Sequence, residues 1–241
     1  MTRILRPRPV SSDRIVNTEQ IIGAIGSLSI DDEPVSAAHL SPETLGDCGP
    51  LVHELVYSML LWEASIDQAQ RGMERLRDSF VDCNELRVCL PHEVAEVLGG
   101  RYPRLDDRCE RLVGALRWVF SRNQSLTLEP IRELNKRDAR NELLSVEAIP
   151  RFVASRILLI GLEAHAFPMD DKLAKSMHKA DLVEHARDPD RISSELERDI
   201  RAGDALGVYT RLERWLIERD KQVSLERSQK RSRKSKTEGK S

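Results

Sequence analysis

Ile149-Pro150-Arg151-Phe152-Val153-Ala154-Ser155-Arg156, continuing through the apolar run to Leu162 and on to Phe167-Pro168-Met169-Asp170-Asp171-Lys172-Leu173, predicts two helices joined by a loop. Proline at position 150 suits a helix's first turn, because the N–H it lacks would have no intrahelical acceptor there. Phe152 to Leu162 is strongly apolar, which predicts a helix enclosed by the core. Glu163 to Asp170 reads as a loop. The next helix opens at Asp171, where the helix dipole favours a carboxylate.

Working outward, the same pattern recurs. Leu51, Leu55, Tyr57, Met59 and Leu60-Leu61-Trp62 form a dense apolar helix punctuated at its start by Gly49-Pro50. Ala69, Met73, Leu76 and Phe80 follow at spacings of three and four, as an amphipathic helix requires. Leu90-Pro91-His92-Glu93 starts another helix, which Gly99-Gly100 ends. Leu105 to Phe120 is amphipathic, Thr127 to Leu134 reads as a short helix, Lys136 to Leu144 as a charged one, and Leu206 to Leu216 as a last amphipathic one. Strand formers are thin and helix formers abundant, so the expected fold class is all-α, an irregular multi-helix domain rather than a long coiled coil.

Hydrophobic residues are 40% and charged residues 32% of the 241, within the globular range. The net charge of −2 provides no global attraction for nucleic acid, but the segment from Lys221 onward is strongly basic, so the body is acidic. Aromatics at 4% are too few for a base-stacking platform for single strands. The expected organisation is a flexible N-terminal arm over 1–48, a helical domain over 49–220 and a basic disordered tail over 221–241. The arm carries one short apolar run, Ile21 to Ile30, able to dock locally. The tail has no apolar residue after Leu225, so it cannot bury enough surface to fold alone. It is a solvated tail or a salt-sensitive grip on phosphates.

Cys48, Cys83, Cys89 and Cys109 form no C-x-x-C pair and read as reduced thiols of a cytoplasmic protein. No apolar run approaches the ~20 residues of a membrane span, so no membrane partner is expected.

Three segments resemble the helix–hairpin–helix DNA glycosylase (endonuclease III) superfamily. Leu-Val-Tyr-Ser-Met-Leu-Leu-Trp-Glu-Ala-Ser-Ile-Asp, at the head of Leu55 to Phe80, looks like the buried helix and turn before the base pocket. Arg101-Tyr102-Pro103 through Val119 is similar to the segment G-x-x-x-x-K-A-x-x-I, with Arg108 or Arg111 at the basic position. Residues 149–156 align with the hairpin L-P-G-V-G-x-K-T, and 167–173 with the segment that carries the family's catalytic Asp.

The resemblance implies a helical glycosylase-like fold and a set of site residues. Asp171 falls on the catalytic position, with Asp170 as its fallback. A carboxylate beside the anomeric carbon stabilises the cationic sugar or activates water. The alternative role for Asp171 is a simple N-cap. Glu63 and Ser65 stand where the family lines its base pocket, or merely end a buried helix. Arg151, Ser155, Arg156 and Lys172 fall on DNA-binding positions, or on a solvated face. His165 and His178 flank the Asp pair without a metal-ligand spacing, so no metal is assigned.

Three departures refine this. Arg151 and Val153 replace the hairpin glycines, so either the hairpin is distorted or Arg151 supplies the phosphate contact by its side chain. Ser155 replaces the lyase Lys and cannot form a Schiff base. The four-Cys iron–sulfur motif is missing downstream of Asp171, so no cofactor is expected. The implied function is a monofunctional glycosylase for base excision, a hydrolase of the N-glycosidic bond. Its partner is double-stranded DNA with a damaged or mispaired base, and it acts as a nucleoid-associated monomer. The alternative is a catalytically inactive descendant that binds DNA or protein.

Overall fold

A computed structural model describes residues 14–26, 45–46 and 48–238. Among these residues the protein is all-α. Its helices are α1 (Thr18–Gly26), α2 (Pro50–Leu61), α3 (Ile66–Ser79), α4 (Cys83–Val88), α5 (Pro91–Leu98), α6 (Leu105–Asn123), α7 (Lys136–Ser145), α8 (Arg151–Arg156), α9 (Asp171–His178), α10 (Pro189–Asp199) and α11 (Ala202–Glu238). A 3-10 turn over Glu129–Glu133 precedes α7, and a π turn over Ile157–Gly161 prolongs α8. An antiparallel bridge pairs Val16 with Val183.

Helix α2 is the hub. Every side chain from Leu51 to Leu61 is buried, and α3, α6, α8 and the π turn pack around it. Such a helix has no solvent face, which is why its sequence lacks a polar stripe. Proline in its first turn and Gly49 at φ 75° fix where it starts. Ser65 begins α3 with a reciprocal capping box, its hydroxyl accepting from Gln68 N at 3.1 Å while Gln68 Oε1 accepts from Ser65 N at 3.0 Å.

Helices α4 and α10 are additions to the sequence reading. Each is announced by an aspartate, Asp82 and Asp188, that caps the first turn by accepting from Glu85 N and Arg191 N. Helix α4 is a six-residue turn, and α10 is mostly polar outside its core positions Ile192 and Leu196.

The expected N-terminal arm is corrected where it is described. Residues 14–26 belong to the body, and most of the remaining arm lies outside the described residues. Ile15 and Val16 donate their N–H groups to Glu195 Oε2 at 3.2 and 3.1 Å. Thr18 Oγ1 donates to Asp199 Oδ2 at 2.5 Å, and Arg14 pairs with the same carboxylate. Ile21 and Ile25 are fully buried, and α1 packs against α11. At the other end, α11 runs on through the basic segment to Glu238. Between Gly207 and Gly239 there is no Pro or Gly to end it, and Lys, Arg and Glu are good helix formers.

No helix of the described residues is long and apolar enough to cross a membrane.

Candidate functional site

The aspartate pair at the head of α9 divides sharply. Asp170 is the N-cap: it is 7% exposed, and its Oδ1 accepts from Leu173 N at 2.8 Å. Its Oδ2 accepts from Glu63 N at 2.6 Å, across 107 residues of chain. Burial pushes the Asp170 carboxyl above its ordinary value, and the Leu173 and Glu63 N–H groups offset only part of that. Asp171 is instead on the outer face of α9, about half exposed and paired with Lys175 at 3.1 Å. The capping role considered for Asp171 therefore belongs to Asp170. Sequence could not separate them, because a one-residue shift at a helix start rotates a side chain by ~100°.

The turn that meets Asp170 is built for the purpose. Glu63 has a left-handed backbone, φ 56°, and this aims its N–H at the Asp170 carboxylate while α2 gives way to α3. Its side chain pairs with Arg104 Nη1 at 2.8 Å. Arg104 lies over the Trp62 ring at 4.3 Å and is held by Asp107 at 2.8 Å. Ser65 spends its hydroxyl on the α3 cap.

Glu63 and Ser65 form one wall of a cleft of about 1500 Å³ between the start of α3, α9 and the outer part of α11. Lys172, Lys175, Lys179, Arg219 and Lys221 line it against Glu63, Asp67 and Asp220, five cations to three carboxylates. Lys172 reaches across to Asp220 at 2.6 Å, and Arg219 donates to the Lys179 carbonyl at 2.9 Å. The cleft thus has a positive bias on a chain whose net charge is negative.

Two expected DNA contacts are corrected. Arg156 is fully buried and Ser155 is 4% exposed, so neither can meet a phosphate. Arg156 donates from Nε to Ser58 Oγ at 2.9 Å and to Glu54 Oε1 at 3.2 Å. From Nη1 it reaches Tyr209 Oη at 3.0 Å and pairs with Glu213. One cation thus stands between two buried carboxylates. Burial pushes the Glu54 carboxyl upward despite Arg156, and Glu213 adds to the push. Tyr209 stands edge-on to Phe167 at 5.8 Å and within electrostatic reach of Asp170. This internal network was missed from sequence, because its members come from α2, α8 and α11.

Because the folded pKa of Glu54 is raised, its contribution to stability is full below the ordinary glutamate pKa and is lost as pH rises through the folded value. Glu54→Gln should therefore gain on the wild type over the pH range above the ordinary glutamate pKa. Denaturant midpoints of the two proteins measured across that range check this; parallel curves would contradict it.

Arg151 is on the surface, 43% exposed beside Asp190 at 3.4 Å. The turn ahead of it closes through Ile149 N to Val146 O at 2.9 Å. Arg151 and Val153 both sit in α8, outside the left-handed region. The hairpin thus accommodates side chains at the expected glycine positions without backbone strain. His178 Nδ1 is 3.2 Å from the Val183 carbonyl oxygen. Among the described residues no three His, Cys, Asp or Glu side chains gather as a metal site.

No family model and no curated protein sequence matches the chain. Solved structures do. The chain superposes on the H. pylori 3-methyladenine DNA glycosylase MagIII bound to 1,N6-ethenoadenine with a TM-score of 0.57 and 16% identity, over 86% of this chain and 98% of that one. It superposes on MBOgg1 in complex with a low affinity DNA ligand with a TM-score of 0.54 and 18% identity, over 85% of this chain and 71% of that one. The eleven described helices, α2 at their centre, thus have the fold of the DNA glycosylases.

Proposed function

We propose that the protein is a monofunctional DNA glycosylase of base excision repair, with Asp170 as its essential carboxylate. The observation that carries this is Asp170 itself: a buried carboxylate held by two backbone N–H groups at the head of α9, beside a cation-biased cleft. A group fixed in this way needs no reorganisation when positive charge develops on a sugar. The base must first leave the stack. As the C1′–N bond breaks, its electron pair leaves with the base and C1′ becomes cationic. Asp170 stabilises that cation, and water then bonds to C1′ and yields its proton to the departing base. Ser155 stands at the lyase position and has no amine, so strand cleavage is not expected. No iron–sulfur cluster is proposed.

The second reading is a DNA-binding descendant without chemistry. It is favoured by the Arg156 network, which fills the interior near Asp170 with paired side chains.

A base-release assay separates the two. Duplexes carrying uracil, alkylated, oxidised or mispaired bases are incubated with wild type, Asp170→Asn and Asp171→Asn, and abasic sites are then cleaved with hot alkali. Release by the wild type and Asp171→Asn but not by Asp170→Asn supports the enzyme. Duplex binding without release from any substrate supports the descendant.

A further inference from the structure

Between α3 and the α5–α6 loop is a hollow of about 460 Å³, walled by Arg71, Arg75 and Arg101 together with Gln68 and the Gly99-Gly100 turn. No carboxylate lines it. Three guanidinium groups around one concavity repel one another unless an anion sits among them. Arg101 is exposed and has no ion-pair partner among the described residues. Among the described residues Arg71 pairs with Asp67 alone, at 2.6 Å, with both side chains more than half exposed. Such a pair is weak and readily exchanged. Arg75 donates to the Leu98 carbonyl at the end of α5, which holds its guanidinium at the rim.

The hollow is a consequence of close packing between the α5–α6 loop and α3. Gly72 allows it: a Cβ there would lie 3.0 Å from Tyr102 Oη and 3.1 Å from the Tyr102 ring. Tyr102 is buried, and its hydroxyl lies 2.9 Å from the Leu60 carbonyl oxygen and 3.1 Å from that of Gln68. The loop is thereby locked onto α3, and Arg101, next to Tyr102, is carried to Arg71 and Arg75. Gly99 has φ 83°, and a Cβ on it would crowd Arg75 Nη1 at 3.1 Å. The arginines thus stand on a braced loop and a helix, with planar donor forks suited to phosphate oxygens.

We infer that this hollow is a phosphate-binding cradle, distinct from the cleft lined by Glu63 and Lys172. Gln68 lines both, so the first turn of α3 is a partition between them. The phosphate is a backbone phosphodiester of a DNA strand, or the phosphate of a free nucleotide. The DNA source rests on the glycosylase reading.

The test uses the full chain, Arg71→Ala, Arg101→Ala and the double variant, with Arg71→Lys and Arg101→Lys as charge-keeping controls. Affinity for an undamaged duplex is measured against salt concentration, and affinity for a deoxynucleoside monophosphate and for inorganic phosphate is measured by calorimetry. For a backbone site, the double variant should bind duplex at least about tenfold more weakly, and the salt slope should fall by about 0.9 per phosphate released. The Lys variants should lie between. For a free-nucleotide site, monophosphate binding is lost and duplex affinity is unchanged. If neither affinity moves in the double variant, the cradle is wrong. Base release under single-turnover conditions at saturating protein should be normal in all these variants. The catalytic reading is judged there, by Asp170→Asn, so one inference can fail without the other.

Discussion

Asp170→Asn should lower single-turnover base release by at least about 10²–10³-fold, the usual loss when one preorganised electrostatic partner of a transition state is removed, and leave the protein folded. The asparagine can still accept one of the two N–H groups that Asp170 receives from Leu173 and Glu63. It also removes a charge that burial disfavours. Asp170→Ala should lose the same activity but also uncap α9, at a cost of about 1–2 kcal/mol. Release rates and denaturation curves on the three proteins separate chemistry from capping. If Asp170→Asn retains a tenth or more of wild-type activity, Asp170 does not carry the reaction.

The pH dependence has a definite sign. The folded pKa of Asp170 lies above its ordinary 3.8. Its contribution to stability is therefore full below 3.8 and is lost as pH rises through the folded value. Activity that needs the ionised carboxylate appears over that same rise. Rate and stability should move in opposite directions through this window, and Asp170→Asn should abolish the rate trend and remove Asp170's share of the stability trend, leaving the share of Glu54.

Arg156→Leu should be the most destabilising single change, about 3–5 kcal/mol, because it leaves Glu54 and Glu213 buried without their shared cation. For a domain of this size that is a fall in Tm of about 10 °C. Adding Glu54→Gln and Glu213→Gln should recover a large part of the loss, since the damage is uncompensated charge and not missing volume. A loss below about 1 kcal/mol in Arg156→Leu, or no recovery in the triple variant, would contradict the assigned network. Arg156 was expected on a DNA-facing surface. It is basic and close to the hairpin, and sequence alone does not distinguish a guanidinium facing phosphate from one enclosed by glutamates.

The sequence by itself determined the helices and the order in which they come. Apolar residues at spacings of three and four, prolines in first turns, the Gly49 start and the Gly99 stop are local signals, and a helix's hydrogen bonds are local too. They located α2, α3, α5, α6, α7, α8, α9 and the start of α11. Helices α4 and α10 escaped because each has little more than a cap and a few core positions. Tertiary structure alone decided which side chains face one another. Asp170 and Asp171 look alike until the helix start is placed, and then one accepts from Glu63 N 107 residues away while the other faces solvent. Arg156 with Glu54 and Glu213, and Arg101 with Arg71 and Arg75, are likewise joined only by packing. No periodicity in a single chain encodes a contact between helices, because which faces meet depends on how all of them fill the core together.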